Sequence, residues 1–538
     1  MQRSLVASLA LLGSVSAAYV WPSTQDPIDD LLYLQSGYIR FGSLSDQVSS
    51  CGFGAGSPGI QKSAEWVRTA FHDAATHDAA AGTGGVDGSI QYELERPENL
   101  GAALNHTLAD ISSSVNVHSS AADLLSLALV IAVARCGDLE VPLRLGRKDA
   151  TEAGIKGVPE AHTDLETTRN RFQIAGFNEA DMITLVACGH TLGGVHSVDH
   201  PEIVTGTVDP ANVARFDNTT DKFDTKVVTE YLDNSSRNPL LRNTNDTLNS
   251  DKRVFAADGN VTMNKLADAT YYKAQCESVF TRMLDLVPSD VTLSEPLQPA
   301  DIRPYITKYQ LSSNGSVELA GRIRIRTSPD SGRVATDLKV SLLPTDRNGQ
   351  SIQEITTTAA TAKGGDSFGY LKERFNWFEF SKVLPATTGL SGFNIKLTVP
   401  SSGLSTTYDN AGAAGGFALN PDITFQQPQS CVSFDSATNK GTLTLTTAIS
   451  KKALASGATP QVRLVQRIDQ PRNFIPKLEQ QVIQMTPAGK ETAEYVYYRA
   501  TGTVGRNGLQ TTFDVEVGES KLLFQETTAL VGTTCGAL

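Results

Sequence analysis

Two of the eight histidines in this chain sit among neighbours that suggest chemistry. The first lies in Arg68-Thr69-Ala70-Phe71-His72-Asp73. Arg68 and His72 are four residues apart in a stretch of helical periodicity, so both project from one helix face. A guanidinium beside an imidazole disfavours protonation of the ring. That placement is poor for stability but well suited to splitting an O–O bond. The neutral imidazole can take a proton from a bound hydroperoxide and return it to the departing oxygen, while the cation stabilises the charge that develops there. Positioned proton transfer is worth roughly 10²- to 10⁴-fold, and a preorganised cation adds to it. Taken alone, such a pair on an amphipathic helix is more often a surface feature. The second histidine lies in Cys188-Gly189-His190-Thr191-Leu192-Gly193-Gly194, just after the apolar run Met182 to Ala187. A histidine at a helix end beside glycines suits an axial ligand to a flat group, because glycine permits close approach.

The elements that must hold these residues come from periodicity. Residues from about Pro22 to Leu286 read as helical. Ala64, Val67, Ala70, Phe71 and Ala74 recur at i, i+3, i+4 spacing, and Ser57-Pro58 offers an N-cap and first turn for that helix. Further helices are expected over Ala121–Arg135, Asp164–Gln173, Glu179–Ala187 and Asp268–Leu284. The apolar run Leu124 to Ala134 is too short to span a bilayer and reads as a buried helix. Near Val287 the texture changes. Pro288, Pro296, Pro299 and Pro304 mark a linker, and beyond it short Val-, Ile-, Thr- and Phe-rich runs alternate with period two. They cover Ser316–Thr327, Asp337–Leu343, Phe375–Val383 and Phe393–Val399, then Thr442–Thr447, Gln461–Ile468, Tyr495–Thr503 and Thr511–Val517, an all-β sandwich signature. The expected fold class is therefore multidomain: a mainly α-helical domain over 19–290, a β-rich domain over 291–429 and a second over 430–538. Cys431 and Cys535 lie at the two ends of the last and could staple it.

Residues 1–18 read as a secretory signal peptide, with Arg3, an apolar run Leu5 to Val15 and small residues Ser16, Ala17 and Ala18 at the cleavage site. The six cysteines, an even number, fit three disulfides in an oxidising compartment. Sequons at Asn105, Asn218, Asn234, Asn245, Asn260 and Asn314 agree with a secreted, extracellular glycoprotein. The net charge of −12, without a Lys/Arg run, argues against nucleic acid as a partner. No membrane anchor and no oligomer are expected.

Read together, the two histidine segments and the motifs between them resemble the plant-type haem peroxidase superfamily over roughly Val48 to Leu286, about half the chain, and lean toward its secreted fungal branch. Arg68-x-x-Phe71-His72-Asp73 looks like the distal helix, and Gly84-Gly85-Val86-Asp87-Gly88-Ser89-Ile90 like the distal calcium loop. Pro97-Glu98-Asn99 resembles the segment whose Asn supports the distal histidine. Ala121-Ala122-Asp123-Leu124-Leu125 and Leu145-Gly146-Arg147-Lys148-Asp149-Ala150 match two further segments. His190-Thr191 corresponds to the proximal ligand and its calcium-binding neighbour, Phe216-Asp217-x-Thr219 with Asp224 to the proximal calcium loop, and Asp251 to the proximal partner carboxylate.

The resemblance implies haem b and two Ca²⁺ ions as cofactors. His190 would ligate the iron through Nε2, and Asp251 would hold its Nδ1 proton and make the ring electron-rich. Asn99 would bind the other nitrogen of His72 and keep the catalytic one unprotonated. Phe71 and Phe216 would line the distal and proximal haem faces. Asp73, Gly85 through its carbonyl, Asp87 and Ser89 would form the distal calcium site. Thr191, Asp217, Thr219 and Asp224 would form the proximal one, with Lys222 contributing only its carbonyl. The Asn218 sequon lies inside that loop, which argues against glycosylation there. Cys51–Cys136 resembles a bridge of the fungal branch. Cys188 and Cys276 form a second pair by elimination, with a buried free Cys188 the alternative.

The implied function is a secreted peroxidase that reduces hydrogen peroxide through a ferryl/porphyrin-radical intermediate and oxidises small phenolic reductants at the haem edge. Two specialisations of the family are not expected. Gln61, Glu65 and His196 offer one carboxylate of the three a manganese site uses, and Leu185 stands where a surface tryptophan would relay electrons. Val158-Pro159-Glu160 resembles the access-channel segment. Trp66, Tyr271 and Tyr272 are candidate radical relays better read as packing residues. The β-rich tail lies outside the resemblance. Its run Phe375-Asn376-Trp377-Phe378-Glu379-Phe380 could form a carbohydrate platform, although strand packing explains it better, and a wall polysaccharide is its candidate partner. The alternative function is a wall-binding or adhesion protein whose peroxidase-like domain is vestigial. The presence of Arg68, His72, Asn99, His190 and Asp251 together speaks against that.

Overall fold

The structure, a computed structural model, describes residues 19–54 and 57–538. The leader expected over residues 1–18 lies outside the described residues. The helical half contains α1 (Asp26–Tyr33), α2 (Lys62–Ala74), α3 (Ala103–Ser112), α4 (Ala121–Gly137), α5 (Leu165–Ile174) and α6 (Glu179–Gly189). Short helices follow between Lys226 and Leu266, then a long one, Ala269–Leu284.

Helix α4 is the axis of this half. Every residue from Ala121 to Val133 is buried, so the run is apolar all round because each face meets protein. The Ser120 hydroxyl accepts from the Asp123 N–H at 3.0 Å and caps its start, and Asp138, at φ 52, ends it. Two family-like segments turn out to be halves of one polar lock at that start. Asp149 accepts the Ala121 and Ala122 N–H groups, both at 2.9 Å, and buried Arg147 donates to Asp123 at 2.9 Å.

Helix α2 packs on α3 and α4 and begins later than expected. The N-cap is Gln61, not Ser57. The reason is Gly59, whose φ is +83° and where a Cβ would lie 1.9 Å from the Pro210 carbonyl oxygen. That backbone cannot be helical, so Ser57–Ile60 forms a turn instead. At the other end of the site, α6 starts with a reciprocal capping box between Asn178 and Asp181 and delivers His190 as its C-cap residue.

The C-terminal half is two β-sandwiches. In the first, a sheet ordered Ser36–Gly37, Asp366–Phe368, Arg374–Leu384, Val317–Arg326, Ile302–Leu311 faces one built on Leu404–Tyr408, Gly392–Val399, Lys339–Thr345 and Ile355–Thr356. In the second, a sheet centred on Lys440–Ser450 and Tyr495–Gly505 faces one ordered Asn473–Gln484, Gln461–Gln470, Thr512–Val517, Ser520–Glu526. The strands of both sandwiches pair antiparallel, with one isolated parallel bridge between Val432 and Val531, and the inward residues alternate, as the period-two pattern requires. Strand Arg374–Leu384 is buried on both faces: Phe375 and Trp377 join the helical core, while Phe378 and Phe380 fill the sandwich. Its aromatic run is therefore packing, and no flat platform is exposed there.

The halves are interlocked. Residues Ser36–Gly37, grouped by sequence with the helical domain, pair with Ser367 and Phe368 of the first sandwich. Asp29 and Asp30 of α1 meet Arg303 at 2.9 and 3.0 Å, and Asp29 meets Arg324 at 2.6 Å, all buried. Removing one partner would strand a buried charge at a cost of about 3–5 kcal/mol. From the second sandwich, Ile475 enters the helical core and Asn473 donates to Gln91 at 2.9 Å. Three disulfides pair Cys51–Cys136, Cys188–Cys276 and Cys431–Cys535, so Cys188 is not free. No helix among the described residues is long and apolar enough to cross a membrane.

Candidate active site

Helix α2 brings Arg68, Phe71 and His72 to one wall of a large cavity. The Asn99 side-chain oxygen accepts from His72 Nδ1 at 2.6 Å. The Asn99 amide nitrogen donates to the Glu93 carbonyl at 3.0 Å, which fixes the amide in that orientation. His72 therefore carries its proton on Nδ1 and leaves the Nε2 lone pair for the interior. Arg68 Nε donates to that nitrogen at 3.3 Å and Arg68 Nη2 to the Leu100 carbonyl at 2.9 Å. Burial first, and then the Arg68 charge, push the His72 imidazole down to about 3, with the Asn99 hydrogen bond opposing them. The ring is a neutral base across the physiological range.

The opposite wall is built by α6 and the helix Ser250–Phe255. His190 Nδ1 donates to Asp251 Oδ2 at 2.9 Å. Asp251 is buried, and the same oxygen accepts from Asn238 Nδ2 at 2.7 Å. Phe216 stacks on the His190 ring at 4.2 Å and 11°. With Nδ1 committed, Nε2 is the nitrogen His190 offers to the cavity it lines. Asn238 is the site residue that sequence reasoning missed. It is fully buried, and its own oxygen caps the following helix by accepting from Leu240 N–H at 2.8 Å. The Asn238-Pro239 dipeptide was a visible helix-start signal, but nothing in it indicated a bond to Asp251.

Between the two walls the cavity measures about 890 Å³, near the top of the range of about 300–1,000 Å³ for small-molecule and cofactor sites. Phe71, Val186, Leu192 and Phe216 make its inner lining largely apolar. Pro159 and Glu160 reach the rim, as expected of the access segment, and Leu185 lines it while buried. An apolar slot with one imidazole Nε2 on each wall fits a flat macrocycle that carries a metal at its centre.

The two loops expected to bind calcium each converge on oxygen atoms. In the first, Asp73 accepts the Gly88 and Ile90 N–H groups at 2.8 and 3.0 Å, Ser89 Oγ lies 3.4 Å away, and Asp87 accepts the Ser89 N–H at 3.0 Å. The Gly85 carbonyl accepts from the Asp87 N–H at 2.9 Å. Burial and then the Asp87 charge hold the Asp73 carboxyl well above its ordinary range. In the second, Thr191 Oγ1 donates to the Asp224 carbonyl at 2.8 Å, and Thr219 Oγ1 lies 3.0 Å from an Asp224 carboxylate oxygen and 3.4 Å from Asp217. Asp217 Oδ2 is buried without a partner, and burial lifts that carboxyl to about 7. Lys222 is exposed and brings only its backbone, its N–H donating to the Thr219 carbonyl. Asn218 donates to Glu230 at 2.9 Å, so its amide is engaged in the fold.

The residues weighed for other specialisations have structural partners. Gln61 spends its amide nitrogen on the Cys51 and Thr220 carbonyls at 2.7 and 2.8 Å. Glu65 accepts from His106 at 2.8 Å, Trp66 donates to Asp110 at 3.0 Å, and Tyr272 donates to the Ala187 carbonyl at 3.0 Å.

Residues 54–285 match the family model described as peroxidase. A WSC domain-containing protein of Arthroderma benhamiae is 39% identical over 402 residues, 73% of this chain and 54% of that protein. The L-ascorbate peroxidase 5, peroxisomal, of Arabidopsis thaliana is 37% identical over 132 residues, 24% of this chain and 47% of its own. The L-ascorbate peroxidase 2, cytosolic, of the same plant is 35% identical over 133 residues, 24% of this chain and 53% of its own. The chain thus spans about half the length of these curated relatives.

Proposed function

Residues 54–285 belong to the plant-type haem peroxidase superfamily, and from that membership we propose that the chain is a hydrogen peroxide-dependent peroxidase oxidising phenolic or similar small reductants at a haem edge. The observation that carries this reading is the pair of histidines on opposite cavity walls, each with Nδ1 tied to a side chain and Nε2 directed inward.

Haem would be held by His190 Nε2 between Phe71 and Phe216. When bound it supplies the redox chemistry, taking two oxidising equivalents from peroxide and returning them singly to reductants. The rest follows from this chain's residues. His72 Nε2 accepts the proton of the hydroperoxide and donates it to the departing oxygen. Arg68 stabilises the negative charge gathering on that oxygen. Asn99 holds His72 in the tautomer that makes this transfer available, and Asp251 fixes the proton and orientation of the His190 ring.

Two Ca²⁺ ions would neutralise the facing carboxylates of the loops that adjoin each histidine. The unpartnered Asp217 oxygen supports the ion beside His190, and the Asp73–Asp87 repulsion the one beside His72. Secretion and glycosylation are proposed on the leader-like residues 1–18 and the six sequons, and three disulfides support an oxidising compartment. A second reading, in which the β-rich half binds a wall polysaccharide, has one specific support: the Arthroderma relative is named for a WSC domain.

Haem reconstitution should yield a Soret band and peroxide-dependent oxidation of a phenolic dye. A haem-loaded protein inert toward the dye and peroxide would reject the peroxidase reading and leave the wall-binding one. Chelation should lower the melting temperature. A melting curve indifferent to both chelator and added Ca²⁺ would reject the calcium sites.

A further inference from the structure

The mouth of the cavity has a composition that the peroxide chemistry does not use. Six of the eight histidines of the chain line this one cavity. Setting aside His72 and His190, the other four stand at the mouth, and three of them pair with carboxylates contributed by three separate wall segments. On the α2–α3 side, His106 Nδ1 meets Glu65 at 2.8 Å. On the access segment, His162 lies 3.6 Å from Glu160. On the loop after strand Gly194–His196, His200 lies 3.1 Å from Glu202.

Two further carboxylates complete the mouth. Glu98 stands beside the Leu100 carbonyl that anchors Arg68. Asp199 closes against Gly101, where a Cβ would meet its Oδ2 at 2.7 Å. Five carboxylates therefore line the opening, against one lining cation, Arg68. The nearby cations have nearer partners: Lys62 sits 2.8 Å from Asp110 and 3.8 Å from Glu65 Oε2, Arg96 lies 2.8 Å from Glu93 and 3.9 Å from Glu98, and Arg215 lies over the Phe53 ring at 3.0 Å. His196, next to Asp199, is kept neutral more readily than usual, by burial first.

One of these carboxylates points to a ligand. Glu65 is more than nine-tenths buried and lines the cavity; Oε1 takes His106, while Oε2 accepts no hydrogen bond and has only the Lys62 ammonium at 3.8 Å. A buried carboxylate oxygen without a hydrogen bond is costly, and a donor entering through the mouth would supply one. A divalent ion is not the fitting occupant, because no three His, Cys, Asp or Glu side chains among the described residues converge on a metal-binding point. We propose, resting on the peroxidase reading above, that the mouth selects reductants carrying a positive charge, with Glu65 Oε2 as the innermost acceptor.

The test compares two phenols of like shape and opposite charge, tyramine and 3-(4-hydroxyphenyl)propionate, with guaiacol as the neutral reference, in the haem-loaded full chain. At low ionic strength, kcat/KM should favour tyramine by about tenfold. The ratio should shrink toward one in about 1 M salt, where the screening length is ~3 Å. Glu160→Gln, at a half-buried rim position, and Glu202→Gln, at an exposed one, should each lower it, and Glu65→Gln most. Equal rates at low salt, a ratio indifferent to all three substitutions, or Mn(II) oxidised in preference to tyramine would overturn the proposal. Absence of guaiacol oxidation would instead reject the peroxidase reading. In that event ligand-observed NMR with the same two phenols still decides the selection, since tyramine should bind and the anion should not.

Discussion

His72 and His190 face the same cavity from opposite walls, and what differs is the group behind each ring. Behind His72 stands a neutral amide, Asn99, with the Arg68 cation at its side. Behind His190 stands the carboxylate of Asp251, itself held by Asn238. The first environment makes a weak base, always ready to receive a proton and quick to release it. The second makes an electron-rich ring that keeps its Nδ1 proton and offers Nε2 as a donor to a metal. One side-chain type thus takes two chemical roles, set by its neighbours and not by its own structure.

The sharpest break in this contrast is to remove each ring in turn. His190→Ala should cost the chain its iron ligand, and haem retention and the Soret band should both collapse. A variant with an unchanged spectrum would mean that another residue ligates. His72→Ala should leave haem bound and slow peroxide reduction by roughly 10²- to 10⁴-fold. Stopped-flow mixing with peroxide measures this, and an unaltered rate would remove His72 from the chemistry.

Arg68→Leu should have the next largest effect, about 10²- to 10³-fold on the same step, the usual loss when one preorganised charge donor is removed. It also tests the cause of the low His72 basicity. The neutral ring is the working form, so the peroxide step should persist as pH falls until it nears about 3. Burial is the larger cause and Arg68 the second, so the acid limb should move upward in Arg68→Leu without reaching that of a free imidazole. A limb that stays put would assign the displacement to burial alone. Stability carries the same sign. Between the ordinary imidazole value and about 3 the unfolded chain binds the extra proton, so this group's contribution falls as pH drops through that window.

Arg68, His72 and His190 were legible only as a set, because the motifs around and between them follow the order and spacing of the family they resemble; a pair four residues apart on a helix, or a helix end followed by glycines, fits an ordinary structural role when taken alone. The sandwich strands were legible for a similar reason, since alternation survives any choice of partner strand. What escaped depends on contacts distant in sequence. The start of α2 is set by Gly59 meeting the Pro210 carbonyl, some 150 residues away. The place of Ser36–Gly37 is an edge of a sheet whose other strands lie beyond residue 300, and no local pattern announces it. Phe375 and Trp377 looked like the same alternation as any buried strand. Only the structure shows that their face packs on helices while Phe378 and Phe380 pack on a sheet. Asn238 was invisible for the strictest reason, because its helix-capping role accounts fully for an Asn-Pro pair and masks the second bond to Asp251.

That second bond gives the smallest effect and the finest probe of the contrast. Asp251 Oδ2 is shared between His190 Nδ1 and Asn238 Nδ2. Asn238→Ala removes one donor from a buried carboxylate and should cost about 1–3 kcal/mol of stability. Part of that is the lost cap on Leu240, so Asn238→Ser, which retains a capping oxygen but withdraws the donor, separates the two roles. With its competitor gone, Asp251 draws the His190 proton more strongly and the ring becomes a stronger electron donor. Both variants should therefore lower the reduction potential of the haem-loaded protein, while only Asn238→Ala should show the full loss in melting temperature. A potential that rises, or that follows stability rather than loss of the donor, would reduce Asn238 to a helix cap.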